Sequence, residues 1–196
     1  VDRSCPIEQT LVSLPFQGVI QATVAQQADG KLLVAGATTD SQKRSQIFVA
    51  RFQPDCTLDV GFGAGGAVLL DAGVTLVDAL ALPDGKIVLA GATQDGLFLV
   101  RLDAGGRLDE SFDKDGTVTL PLGGVTITGA VLAGERILVS AYQRTGGKRW
   151  ALLLGFRGDG SQDRSFGVEG VASLEIKDVI DTTLARHSDG LLALLT

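Results

Sequence analysis

The sequence predicts an all-β fold, a β-propeller of four-stranded antiparallel blades, and three observations carry that prediction. A turn followed by an apolar strand recurs as Asp29-Gly30-Lys31-Leu32-Leu33-Val34-Ala35-Gly36 and as Pro83-Asp84-Gly85-Lys86-Ile87-Val88-Leu89-Ala90-Gly91. It returns as Gly134-Glu135-Arg136-Ile137-Leu138-Val139-Ser140-Ala141 and as Asp189-Gly190-Leu191-Leu192-Ala193-Leu194-Leu195. A second motif keeps the same beat: Leu58-Asp59-Val60-Gly61-Phe62-Gly63, then Leu108-Asp109-Glu110-Ser111-Phe112-Asp113, then Gln162-Asp163-Arg164-Ser165-Phe166-Gly167. Val1-Asp2-Arg3-Ser4-Cys5 is a degenerate first copy with Cys5 in the phenylalanine slot. Third, the 26 glycines stand at turns along the whole chain and form no low-complexity block, which calls for many short strands. Two motifs in constant phase define an internal repeat of roughly 50 to 55 residues, a period that belongs to solenoids, propellers and arrays. No apolar stripe of helical period runs longer than a turn, so helical solenoids are excluded.

The elements follow from the turns. In the second repeat Gly66–Leu70, Val74–Leu82, Lys86–Thr93 and Leu97–Leu102 read as four strands, separated by short Gly- and Asp-containing connections. Asp-Gly is a hairpin signal because glycine accepts a positive φ without a Cβ clash. The apolar run Lys86–Ala92 has no polar alternation, so both its faces are expected to be covered. In the first repeat Ile7–Leu14 is expected innermost, followed by Gly18–Gln26, Lys31–Ala37 and Ile47–Phe52, with a polar insertion at Thr38–Gln46. The third repeat supplies Gly116–Leu120, Val125–Leu132, Arg136–Tyr142 and Trp150–Phe156, with a polar loop at Gln143–Arg149. The fourth supplies Gly170–Leu174, Val179–His187 and Leu191–Leu195 and lacks an outer strand. The expected organisation is one propeller or part-propeller domain over 1–196, with blades at about 1–56, 57–107, 108–161 and 162–196. An unfinished last blade leaves an apolar strand edge. The chain is therefore expected to be part of a longer ring or to complete one with a second copy of itself.

Composition narrows the function classes. A net charge of −6 offers no basic surface of the size that phosphate-backbone binding needs, so nucleic acid is excluded as a partner. No apolar segment approaches the length of a membrane-spanning helix, so no membrane span is expected. Cys5 and Cys56 are the two cysteines; an even pair permits one disulfide without requiring it, and two separate thiols is the other reading. A bond between them would staple a loose N-terminus to the end of the first repeat. Zinc is not expected, since two distant cysteines and the single His187 have no ligand spacing. The chain begins inside a repeat motif, which leaves room for a removed upstream segment.

The combined pattern is Asp-Gly-Lys-apolar-Ala-Gly, an apolar strand ending in Arg, then Leu-Asp-x-x-Phe-Gly with a following Gly-Gly. It resembles the delta-60 repeat of bacterial β-propeller proteins, best over 29–66 and 84–116. The resemblance implies secreted or cell-surface proteins, hence an extracytoplasmic location, and brings no catalytic residue with it. Departures are Phe112-Asp113-Lys114-Asp115-Gly116 in place of the Phe-Gly-x-Gly-Gly turn, Gly155 in place of the strand-end arginine, and Cys5 for phenylalanine.

The recurring Asp59, Asp109 and Asp163 suit turn caps or partners of Arg51 and Arg101, and Phe62, Phe112 and Phe166 suit wedges between blades. One residue repeated in every blade serves a fold, whereas a catalytic centre needs different groups converging once. Asp113-Lys114-Asp115-Gly116 lacks the later oxygens and terminal Glu of a calcium loop, and Asp159-Gly160-Ser161-Gln162-Asp163, slightly richer in oxygens, also reads as a turn. No nucleophile elbow, metal site or cofactor loop is present, and no cofactor is expected. The one candidate surface is Tyr142, Arg144, Lys148, Arg149 and Trp150 around the polar loop of the third repeat, against the simpler reading that these anchor strand ends. The expected function is a non-catalytic binding or scaffold module for a protein or glycan partner. The alternative is a propeller hydrolase or lactonase with a metal in the central funnel, for which the expected inner strands offer mainly Thr117, Thr119 and Ser173.

Overall fold

The computed structural model describes residues 19, 21–71, 75–176, 182–187 and 190–195, and these are strands and turns throughout. The first sheet holds β1 (Gln21–Gln26), β2 (Leu32–Thr39), β3 (Ser45–Phe52) and β4 (Ala67–Leu70), hydrogen-bonded in that order. The second holds β5 (Thr75–Ala81), β6 (Ile87–Ala92), β7 (Gly96–Leu102) and β8 (Thr117–Pro121). The third holds β9 (Val125–Ala133), β10 (Arg136–Thr145), β11 (Lys148–Phe156) and β12 (Val171–Ile176). A two-stranded sheet of β13 (Thr182–His187) and β14 (Gly190–Leu195) follows. All pairings are antiparallel, and β1 lies beside β5, β5 beside β9 and β9 beside β13. First strands of successive sheets therefore line up as the inner row. Among the described residues no helix is long and apolar enough to cross a membrane.

The Asp-Gly turns are hairpins as expected. Gly30 and Gly85 take φ of 85° and 83°, and the Asp29 and Asp84 carboxylates each accept the N–H two residues on. The expected two-sided burial of the following strand is also observed. Ile87 and Leu89 pack with Leu33, Ala35, Ile47 and Val49 of the first sheet. Val88 and Ala90, on the opposite face, pack with Ile137, Val139 and Leu154 of the third. All four of these β6 residues are fully buried, and the core of the molecule is this pair of apolar layers between sheets.

The strand phase differs from the sequence reading. The segments taken as innermost, Gly66–Leu70, Gly116–Leu120 and Gly170–Leu174, are instead β4, β8 and β12, each the last strand of the preceding sheet. The reason is the loop between them. After β3 the chain turns at Gln53–Cys56 and folds back, with Phe52 bridging Leu58 and the Asp59 N–H bonded to the Arg51 carbonyl. The Arg51 N–H bonds in turn to the Gly66 carbonyl, which sets Ala67 opposite Ala50. The sheets thus span 21–70, 75–121 and 125–176. Ile7–Leu14 lies outside the described residues. The polar loop expected at Gln143–Arg149 is also shorter than the reading: β10 and β11 continue through it and close on Gly146-Gly147 alone.

Candidate functional site

Two places carry polar clusters, and the first recurs in each of the three four-stranded sheets. At the end of β3, Arg51 Nε donates to Asp59 Oδ2 at 2.8 Å; at the end of β7, Arg101 Nε donates to Asp109 Oδ2 at the same distance. Lys31 and Lys86, just before β2 and β6, approach the same carboxylate oxygens at 3.3 and 2.9 Å. The other oxygen of each aspartate accepts the N–H two residues on, from Gly61 and Ser111. Each guanidinium lies over a fully buried ring, 4.5 Å from the centre of Phe62 and 4.7 Å from that of Phe112.

These groups reach into the next sheet. Arg51 Nη1 donates to the Ala104 carbonyl at 2.6 Å and the Gly63 N–H to that of Gly105 at 2.9 Å. One sheet later, Arg101 Nη1 donates to the Gly158 carbonyl and the Asp113 N–H to that of Asp159. Gly106 and Gly160 end the receiving turns at φ of 86° and 90°. A Cβ at Gly106 would stand 2.8 Å from the Phe62 ring, and one at Gly160 would stand 3.0 Å from Phe112. In the first two sheets the cluster is a latch by which one sheet holds the turn of the next, and the phenylalanine is its wedge.

The third latch is built differently. Gly155 occupies the position of Arg51 and Arg101, and the cation comes instead from Arg136, in the place of Lys31 and Lys86. Its Nε is 2.6 Å from Asp163 Oδ2, and its guanidinium lies 5.6 Å from the Phe166 ring centre. The ring rests on the glycine: a Cβ at Gly155 would approach it within 2.9 Å. Arg157 adds a second, longer contact to Asp163 at 3.5 Å.

Burial alone would raise the Asp109 carboxyl, but hydrogen bonds from Ser111 and Lys86 and the Arg101 charge outweigh it and hold the pKa well below the usual carboxylate range. At Asp59 burial is likewise outweighed by Arg51 and Lys31. The Ser165 hydroxyl leads the downward shift at Asp163, against burial and aided by Arg136. A carboxylate held ionised in this way is a poor proton carrier near neutral pH. The latches are suited to holding sheets together and unsuited to acid–base chemistry.

The second cluster is the β10–β11 hairpin, where Gly146 and Gly147 supply the two positive φ values, 57° and 76°, of a type I′ turn. Register divides the five candidate residues between its faces. Tyr142 opposes Ala151 and Arg144 opposes Arg149 on one face; Gln143 opposes Trp150 and Thr145 opposes Lys148 on the other. Lys148 Nζ lies 5.9 Å from the Trp150 ring centre and 2.8 Å from Glu175, which opposes Trp150 on β12. Tyr142 and Trp150 are partly buried; Arg144 and Lys148 are exposed. The residues gather at one hairpin, but not as one surface.

Thr117, Thr119 and Ser173, proposed for a central funnel, stand on the fourth strands β8 and β12, away from the inner row. The inner row carries Asp78, whose oxygens accept the N–H of Ala79 and, from β9, of Ala130 at 3.1 Å. Asp115 and Asp159 each turn an oxygen onto their own loop, accepting from Thr117 and Ser161. Among the described residues no group of three or more His, Cys, Asp or Glu side chains is arranged to hold a metal. Cys56 is disulfide-bonded; Cys5 lies outside the described residues.

Reading the sequence one motif at a time missed Lys31, Lys86 and Arg136 as latch cations and Gly106 and Gly160 as seats for the wedge. Aligning the repeats column by column exposes them, since the loss of arginine at Gly155 coincides with the gain of Arg136. The model of a family described as a domain of unknown function, DUF5122 beta-propeller, matches residues 27–62 and 82–112, about a third of the chain. Each matched segment runs from the first hairpin turn of a sheet to its latch phenylalanine. No curated protein matches the chain.

Proposed function

We propose that this chain is a non-catalytic module of a β-propeller that presents the β10–β11 hairpin to an extracytoplasmic protein or glycan partner. The observation that carries the reading is the division of polar residues. The recurring Arg, Lys and Asp side chains are engaged in holding sheets together, whereas the β10–β11 hairpin, the longest of the described ones, extends exposed Arg144 and Lys148 beyond that framework. On a chain of net charge −6 this local positive charge favours a partner with acidic groups, with Tyr142 beside Arg144 on one face of the ribbon and Trp150 beside Lys148, which also pairs with Glu175, on the other. The disulfide at Cys56 supports an oxidising compartment. The two strands β13 and β14, in first- and second-strand position beside β9, support a fourth blade of the delta-60 type of repeat.

The reading is tested on a glycan array that includes uronic-acid polysaccharides, with a parallel capture from extracellular protein fractions. Binding to an acidic ligand that falls at least tenfold in an Arg144→Ala/Lys148→Ala variant of unchanged melting temperature is the expected result. Binding that the double variant leaves untouched overturns the hairpin assignment.

A further inference from the structure

We propose that Cys56 is bonded to Cys5 and that this disulfide is a covalent form of the latch, replacing the phenylalanine–glycine contact at the first sheet. Cys56 is the fourth residue of the turn after β3, where Gly106 and Gly160 stand after β7 and β11. It makes the same N–H bond back to the first turn residue and has the same positive φ, 66° against 86° and 90°. It is also buried. In the other two turns the wedge ring leaves no room for a Cβ. A Cβ is present only in the turn whose wedge position, in the copy Asp2-Arg3-Ser4-Cys5, holds a residue smaller than phenylalanine. The two substitutions are complementary in volume, and with two cysteines in the chain the bonded Cys56 has Cys5 as its intramolecular partner.

The residue after the wedge supports the same conclusion. Gly63 and Asp113 donate their N–H to a carbonyl of the next turn, but the equivalent residue at the N-terminus is Pro6, which has no N–H. The first copy therefore lacks both the ring and the hydrogen bond, and the S–S bond takes over their role. The bond forms by exchange with a small-molecule disulfide such as oxidised glutathione. Its S–S bond breaks as the Cys5–Cys56 bond forms, and it takes up the two electrons and two protons as two thiols.

The test is reconstruction of the ordinary latch in the full chain. Reduction of the wild type should lower the melting temperature by about 5–15 °C, and Cys5→Ser/Cys56→Ser should match the reduced protein. Cys5→Phe/Cys56→Gly should regain half or more of that loss and be indifferent to reductant. Failure to exceed the serine variant overturns the latch role, and a non-reduced peptide map that joins Cys56 to another chain overturns the pairing. Hydrogen exchange on the wild type gives a readout independent of the variants. Reduction should speed exchange at the Cys56 and Gln53 amides and leave Asp103 and Gly106 unchanged; an equal rise in both turns overturns the proposal.

Discussion

Arg136 lies over the Phe166 ring from the second strand of its sheet, in a place that the third strand fills in the other two. The exchange works because position 155 is glycine: the ring rests on the bare backbone and the guanidinium is supplied by Arg136 of the second strand. The latch is thus conserved as an arrangement of charge and ring, with the strand that supplies the cation free to change.

Gly155→Ala is expected to destabilise the protein by about 1–3 kcal/mol, because its Cβ would meet the Phe166 ring at 2.9 Å in a packed interface. Gly155→Arg combined with Arg136→Lys restores the pattern of the first two sheets and should be more stable than Gly155→Arg alone. Urea midpoints of the three variants decide it, and equal midpoints for the single and double changes would count against the exchange.

Phe62 and Gly106 should be energetically coupled across the interface. Phe62→Ala removes a fully buried ring and should cost about 3–5 kcal/mol. Gly106→Ala should cost less in the Phe62→Ala background than in the wild type, since the 2.8 Å contact with the ring is gone while the 2.8 Å approach to Val68 and the positive-φ strain remain. A double-mutant cycle with additive costs would show that the two residues do not touch energetically.

Acid should weaken the latches. The Asp109 carboxyl is depressed in the folded state, so its contribution is fully present above the unfolded value of about 4 and is lost as pH falls through the lower folded value. Wild type should exceed Asp109→Asn in stability at pH 7, and the gap should narrow below about pH 4. A gap that stays constant from pH 7 to pH 2 would refute the assignment.

The hairpin can be followed through Trp150, the single tryptophan. Lys148→Ala should shift its emission while changing stability by less than about 1 kcal/mol, because the Lys148–Glu175 pair is exposed. Gly146→Asn should be tolerated at its φ of 57°, and Gly146→Val should cost roughly 1 kcal/mol or more.

Much of this was legible in the residues. Period, turns and nearly every described strand follow from local chemistry, because Asp-Gly turns and unbroken apolar runs act over a few neighbours. The double role of Asp59 and Asp109, as turn cap and arginine partner, was also readable, since both partners lie within eight residues of sequence. The third latch was not, because Arg136 and Asp163 are 27 residues apart and their meeting depends on what Gly155 omits.

By itself the sequence determined the length of the repeat, the four strands in it and the burial of its central strand on both faces. A repeat read along a line has no intrinsic beginning, however, so it did not determine whether Ala67–Leu70 opens one sheet or closes another. Only the tertiary structure decided that, through backbone pairing of Ala67 with Ala50 across the folded-back latch loop. The same nonlocal pairing placed Thr117, Thr119 and Ser173 on outer strands and set Tyr142 and Trp150 on opposite faces of one ribbon. Register alternates side chains between faces, and register is a property of two strands together.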